Sequence, residues 1–388
     1  MKKLSVAVAV CAVLASSYAS AEVRINGFAS IIGGKSLDNL DHIADPNDPD
    51  DNPTIYGYDD DISFKNESKF ALQLSADLHE KLTATAQIIA RGEDDFDATF
   101  EWAYVTYEYS DELQFSAGKM RAPFYKYSDF LDVGYAYRWV RPPKSVYGIP
   151  FSTYEGLSLV YSSQLGDWDS TLQGFYGAFD GDIDVFGTEL PAELNNFGGV
   201  NWNLSYDWFS ARVAYMVADT SISSEDSGLL GLAGALSDNG LTDTANDLIT
   251  DEDKTTFVGV GFSIDYENFL FDAEYTQFEV EDSILPKQSQ YYASVGYRID
   301  SVIVHFTYED NDDKHDSSRF NTIESIPTLN SAVNGALEGL RAQSNVYTIG
   351  ARYDFHPSAA FKIDFSRFED DITDTETDVV AVGVDLVF

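Results

Sequence analysis

The sequence predicts an all-β fold, a transmembrane antiparallel β-barrel of about 16 strands. Three observations predict it. Apolar residues recur with a period of two, the alternating runs are mostly about nine to twelve residues long, and the connections between them alternate short and long. In a strand that period puts apolar side chains on one face and polar or small ones on the other. Runs of this length suit a tilted strand crossing a bilayer and exceed the roughly five or six residues common in soluble sheets.

In chain order the template places strands at 22–33, 68–78, 82–91, 99–109, 113–121, 156–164, 168–177 and 196–206. The second half adds 208–219, 255–266, 269–280, 289–299, 301–310, 345–355, 359–368 and 378–388. The second strand carries Phe70, Leu72, Leu74, Ala76 and Leu78 on one parity against Lys69, Gln73, Ser75 and Asp77. Near the end, Tyr347, Ile349, Ala351, Tyr353 and Phe355 oppose Thr348, Gly350, Arg352 and Asp354. The last strand is the clearest, with Val380, Val382, Val384, Leu386 and Phe388 against Ala381, Gly383 and Asp385. A one-residue slip would exchange every side chain between faces, so Val382, Val384 and Leu386 are expected outward and Gly383 and Asp385 inward.

Short turns fall at 79–81, 110–112, 165–167, 207, 267–268, 300 and 356–358. Between them lie the longer connections 34–67, 92–98, 122–155, 178–195, 220–254, 281–288, 311–344 and 369–377. One rim is therefore tight and the other elaborate. A closed barrel is the one kind of sheet that leaves no unpaired edge in lipid. Aromatics near strand ends, Trp102, Tyr104, Tyr107, Tyr109, Tyr161, Trp168, Tyr176, Trp202, Tyr206, Trp208, Tyr297, Tyr308 and Tyr353, are placed for interfacial girdles. The loops at 34–67 and 220–254 read as rich in Asp, Ser, Gly and Asn, and Val333, Leu337 and Leu340 stand at helical spacing in a later one.

Composition excludes other classes. With 65 acidic against 24 basic residues the net charge is -41, which makes nucleic acid a poor partner. An aromatic content of 14% excludes an acidic disordered tail. Lys2 and Lys3, the apolar run Leu4 to Leu14 and the small residues Ala19 to Ala21 read as a cleaved signal peptide over 1–21, leaving 22–388 as the barrel domain with a charge of -43. A membrane anchor fits less well, because the run is short and ends in small polar residues. The only cysteine, Cys11, goes with the leader. After Glu22 no stretch has the roughly 18 consecutive apolar residues of a membrane helix.

The opening segment Glu22 to Phe28, the closing strand ending in Phe388 and the long insertion after the fifth strand resemble the Gram-negative general porins over essentially the whole mature chain. That resemblance implies an outer-membrane channel for passive diffusion of ions and small hydrophilic solutes, with short periplasmic turns and long extracellular loops. It also implies a third loop folded into the lumen, a homotrimer, contact with outer-membrane lipid and lipopolysaccharide, and Phe388 as the signal read by the barrel-assembly machinery. The small residues Gly27 and Ala29 give the first strand an outer face suited to subunit packing. The acidity, and the aromatic content of the third loop, depart from the best-known members.

That loop, 122–155, carries four bases, Lys126, Arg138, Arg141 and Lys144, against Asp129, Asp132 and Glu155. So apolar a loop would be costly in water, so it should lie against the inner wall; capping the barrel from outside or packing on a neighbour is the other arrangement. A channel of this kind selects by width and by lining charge. The constriction candidates are Asp129, Asp132, Arg138 and Arg141, the acids facing wall bases as the resemblance implies. Strand parity gives the lumen the bases Arg24, Lys69, Arg91, Arg212, Arg298, Arg352 and Lys362, and the acids Asp77, Asp272, Glu274, Asp354, Asp364 and Asp385. Each could instead be a solvated wall residue away from the narrowing.

No cofactor, metal or catalytic group is expected. The five His stand in no nucleophile motif, and Asp180 to Asp184 starts like a calcium loop but has Val185 where Gly is needed, which reads as a solvated loop tip. The nine Asp between Asp38 and Asp61 offer divalent-cation bridges to lipopolysaccharide, a solvated acidic loop being the plainer reading. Two other functions stay open. The series Tyr125, Tyr127, Tyr135 and Tyr137 suits a substrate-specific channel for sugars or other small solutes, and a filled lumen would suit an adhesin or receptor barrel.

Overall fold

The computed structural model describes residues 22–38, 40, 57–185, 188–223, 227–315, 320, 323 and 326–388. The leader reading of 1–21 lies outside the described residues, as does most of the acidic stretch between Asp38 and Asp61. Among the described residues, 16 strands form one closed barrel, each antiparallel to its neighbours in sequence. They are β1 (Val23–Ser36), β2 (Lys69–His79), β3 (Leu82–Arg91), β4 (Ala98–Glu108), β5 (Leu113–Arg121), β6 (Thr153–Leu165), β7 (Trp168–Val185) and β8 (Thr188–Tyr206). The series continues with β9 (Phe209–Ile222), β10 (Asp253–Tyr266), β11 (Phe269–Val280), β12 (Gln288–Ile299), β13 (Val302–Asp312), β14 (Gln343–His356), β15 (Ala359–Asp370) and β16 (Thr375–Val387).

The alternation sorts the side chains as the sequence implies. On β16, Val382 is 38% exposed on the outer face while Asp385 is 1% exposed inside. β16 closes the barrel against β1 with Ile31 opposite Val384. At its end the Gly27 amide donates to the Phe388 carbonyl at 2.8 Å, and the Phe388 amide returns a bond to Gly27 O at 2.9 Å. The Phe388 ring stacks on Phe70 with centroids 5.9 Å apart and covers Gly27, where a Cβ would lie 2.4 Å from the ring. Gly27 thus accommodates the chain's own last residue rather than offering a bare face to another subunit.

On the tight rim, two-residue turns place Asp207, Glu267 and Asp300 at positive φ (41°, 54° and 52°). Such turns match the right-handed strand twist. On the other rim the structure corrects two readings. The segment 178–195, expected as a loop, extends β7 and β8 as a hairpin in which Phe179 pairs with Leu194 and Ile183 with Leu190. The period of two continues through the acids: Asp180, Asp182 and Asp184 are exposed and Ile183 is buried. Loop 220–254, read by composition as polar, holds α1 (Ser227–Asp238) and α2 (Thr242–Asn246). The expected loop helix is α3 (Pro327–Gly339), and it does have a partner: Val333 and Leu337 pack with Leu236, Leu248, Ile284 and Ile323 into a small apolar cluster shared by three loops.

A third correction concerns β4. A bulge opposite Gln87 and Ile88 turns both Glu101 and Trp102 inward. Trp102 is buried and Tyr104 packs on the core inside the barrel, so neither belongs to an outer girdle. Tyr107, Tyr109, Tyr161, Tyr176, Trp202, Trp208, Tyr297 and Tyr353 are exposed on the outside, as expected.

Candidate functional site

The third loop leaves β5 after Arg121 and rejoins the sheet at Thr153, its ends tied by an Ala122 amide donating to Ser152 O at 2.8 Å. Glu155, counted with the loop, is an exposed residue of β6. The loop turns into the lumen because its aromatics find a wall there. Phe124 meets Phe257 at 5.0 Å and Phe151 at 5.3 Å between centroids, both edge-on, and Phe175, Phe197 and Met216 complete the cluster. Burying a large apolar side chain is worth about 1.5–3 kcal/mol, and edge-on pairs suit the ring quadrupole.

Polar anchors then fasten the loop around the wall. Arg138 donates to Asp272 of β11 at 2.6 Å and to Ser294 O at 3.3 Å, and its guanidinium lies 4.5 Å from the Trp139 ring. Asp272 also accepts from Lys126 at 2.7 Å and the Tyr127 hydroxyl at 2.8 Å. Glu274 accepts the Lys126 amide at 2.8 Å and the Tyr147 hydroxyl. Trp139 donates to Thr307 of β13 at 2.8 Å, and the Val140 amide to Asp364 of β15 at 2.8 Å. Arg352 holds the carbonyls of Tyr135 and Tyr137 at 2.7 and 2.8 Å. Lys362 bridges Gly134 O, Trp139 O and Asp385 at 2.6, 2.7 and 2.8 Å. Arg212 donates to Pro123 O, and Arg141 to Glu67 at 2.7 Å.

Across the lumen Asp132 enters a cluster of bases. It pairs with Arg121, with Arg91 at 3.1 Å and with Lys69 at 3.5 Å, while Glu101 takes Arg91 at 2.9 Å and Arg121 at 3.2 Å. Burial pushes the Asp132 carboxyl up, but the Arg121, Lys69 and Arg91 charges outweigh it and hold the group below the ordinary carboxylate range. Removing one partner from such a buried pair costs about 3–5 kcal/mol.

The constriction candidates therefore separate. Asp129 is the exposed loop carboxylate, whereas Asp132 and Arg138 are taken up in ion pairs with wall strands and Arg141 in one with Glu67, in the connection just before β2. Of the wall charges, Lys69, Arg91, Arg212, Asp272, Glu274, Arg352, Lys362 and Asp364 touch the loop. Arg24 and Arg298 do not: they pair with Asp77 at 2.6 Å and Asp265 at 3.1 Å beside the tight rim. Sequence reasoning missed Arg121, Glu101, Glu67 and Glu309. The bulge hides Glu101, and Glu309, which accepts from the Ser145 amide at 3.1 Å, shares the inward parity of His305 and Thr307 on β13, which is the signal that finds it.

What the loop leaves open is asymmetric. A cavity of about 450 Å³ lies between residues 129–133 and the inner face of β1 to β4, and one of about 210 Å³ lies on the long-loop side against β10 to β13. On the wall of β6 to β9 the amides are mutually satisfied: Gln173 donates to Ser158, Asn201 to Gln173 and Asn203 to Asn201, at 2.8 to 3.0 Å.

A family model described as Gram-negative porin matches residues 6–385. Among solved structures the chain is similar to OmpT of Vibrio cholerae, as a loop L8 deletion mutant, at 13% identity over 95% of this chain and all of that one, TM-score 0.58. An OmpT structure folded in vitro is described as a trimer form. The outer membrane channel DcaP of Acinetobacter baumannii matches at 13% identity, 96% and 99% coverage and TM-score 0.58. OmpF of Salmonella typhi, in complex with daunomycin, matches at 15% identity, 95% and 98% coverage and TM-score 0.56. A search of curated proteins found no match.

Proposed function

The chain belongs to the Gram-negative porin family, and from that premise we propose that solutes pass along one side of the lumen, between the third loop and the wall of β1 to β5. Its function is that of an outer-membrane channel for passive diffusion, and family and fold point to a channel rather than an enzyme. The observation that carries the path is the asymmetry of the filling: the loop's aromatic cluster packs on β6 to β10, while the larger cavity borders β1 to β4. We read Asp129 as the carboxylate that meets the solute, and Asp132, Arg138 and Arg141 as the fastenings that hold the constriction in place. The tyrosine series supports the general channel over an aromatic track, since Tyr125 and Tyr137 are buried and Tyr135 donates to Pro357 O at 2.9 Å. We also read the assembly as a homotrimer, in line with the trimer form described for OmpT.

The test is reversal potential across a KCl gradient in planar bilayers. A unit charge about 8 Å from a passing ion in water is worth about 0.5 kcal/mol. The charge favours a cation and disfavours an anion by that amount, so Asp129→Asn should lower the cation-to-anion permeability ratio about fivefold at low salt while conductance changes little. An unchanged reversal potential would remove Asp129 from the path.

A further inference from the structure

The cavity under the third loop has a wall unlike the one opposite. Asn26, Gln73, Gln87 and Trp102 stand in direct register across β1, β2, β3 and β4, forming one row that borders the cavity. Strands lie about 4.8 Å apart, so the row runs roughly 14 Å around the wall. Gln87 is 2% exposed, and its Nε2, like Nε1 of Trp102, is a buried donor with no acceptor among the described residues. Leaving such a donor unmade costs about 1–3 kcal/mol. On the facing wall Gln173, Asn201 and Asn203 have bonded to one another, so an unmade pair is not the general condition of amides in this lumen.

We propose that this row is a binding site for a neutral, polyhydroxylated solute of one or two sugar rings, set along the path of a channel that still passes ions and other small solutes. The proposal deepens the reading of the lumen as a solute path and rests on it. An amide side chain both donates and accepts, as a hydroxyl does, and three in a row match a succession of hydroxyls. Trp102 adds an indole edge and donor, its ring steadied by the Arg121 guanidinium 5.1 Å from the centroid. Phe130 supplies an apolar face from the loop side, and the exposed Asp129 an acceptor. The nearby bases do not select an anion, because Arg121, Arg91 and Lys69 share Asp132 and Glu101, and the one positive charge left over is offset by Asp129 on the same cavity. The volume of about 450 Å³ lies in the range of small-molecule sites.

Single-channel current is to be recorded with glucose, maltose and sodium gluconate added in turn. The expected result is a saturable block by maltose, weaker by glucose and weakest by gluconate. Gln87→Leu and Trp102→Phe should each raise the half-blocking maltose concentration at least fivefold with conductance within twofold of wild type, while Gln173→Leu on the other wall leaves it unchanged. Tryptophan fluorescence of the detergent-solubilised protein, titrated with maltose and compared between wild type and Trp102→Phe, reads binding without conduction. A current that falls only with solution viscosity, together with flat fluorescence, overturns the site. Tighter block by gluconate overturns its chemistry. Saturable fluorescence in a protein that does not conduct keeps the site and overturns the channel reading instead.

Discussion

Asp313 sits just past β13 at the long-loop rim, 1% exposed, with Oδ2 accepting the Ala342 amide at 3.2 Å and Oδ1 unpartnered. Burial pushes its carboxyl up to about 6, against about 3.9 in an unfolded chain. The folded state thus holds this proton more tightly than the unfolded one. Its stabilising contribution is complete below about pH 4 and is lost as pH rises through about 6. Hydrogen exchange at Ala342, corrected for the intrinsic rate, should accelerate across that window, and Asp313→Asn should flatten the profile; a flat wild-type profile would contradict the assignment. Nothing in the sequence singles this residue out from its neighbours Asp310 and Asp312. Its environment is made by Ala342, which is distant in sequence, and only packing reveals it.

At the scale of elements, the strands were legible because a barrel with one lipid-facing side writes its geometry directly into residue parity. Outside the β7 and β8 hairpin, every strand end lies within three residues of its expected place. The two failures at the connections share one cause, which is reading a connection by composition instead of by period, while the one in β4 comes from a bulge that shifts the parity within a strand. Asp180, Asp182 and Asp184 suggested a loop although their odd-numbered partners kept the strand pattern, and the leucines of α1 were outweighed by the polar residues around them. The inward course of the third loop was legible from its aromatics, but most of its partners were not, because apart from Arg121 the anchors join it to strands distant in sequence. Gly134 measures how close that fit is. A Cβ there would lie 2.1 Å from Asp385 Oδ1 and 2.7 Å from Ser30 Oγ. Overpacking of this kind costs about 1–3 kcal/mol. In Gly134→Val the loop should stand off from β1 and β16, raising single-channel conductance and open-state noise; wild-type conductance and noise in a correctly folded variant would show that the contact does not set the aperture.

For the whole molecule, the charge of -41 acts on every ion that nears the mouth. The field should enrich cations at the entrance, an effect that weakens as the screening length falls from about 30 Å at 0.01 M salt to about 3 Å at 1 M. Reversal potentials at those two ionic strengths should show cation preference at low salt that shrinks at high salt. Chloride preference at low salt would mean that the lumen bases outweigh the mouth. The anchoring of the third loop also has a bearing on time. Gly134 and Val140 take partners 228 and 224 residues further on, at Lys362 and Asp364, while Lys69 and Arg91 arrive well before the loop itself. A chain whose last two strands are not yet in place lacks the lysine and the carboxylates that grip the loop's tip. The grip on residues 134–140 therefore requires the latest-made strands, which reach back to hold a segment made much earlier, whereas the aromatic cluster and the Asp132 pairs need only strands made before them.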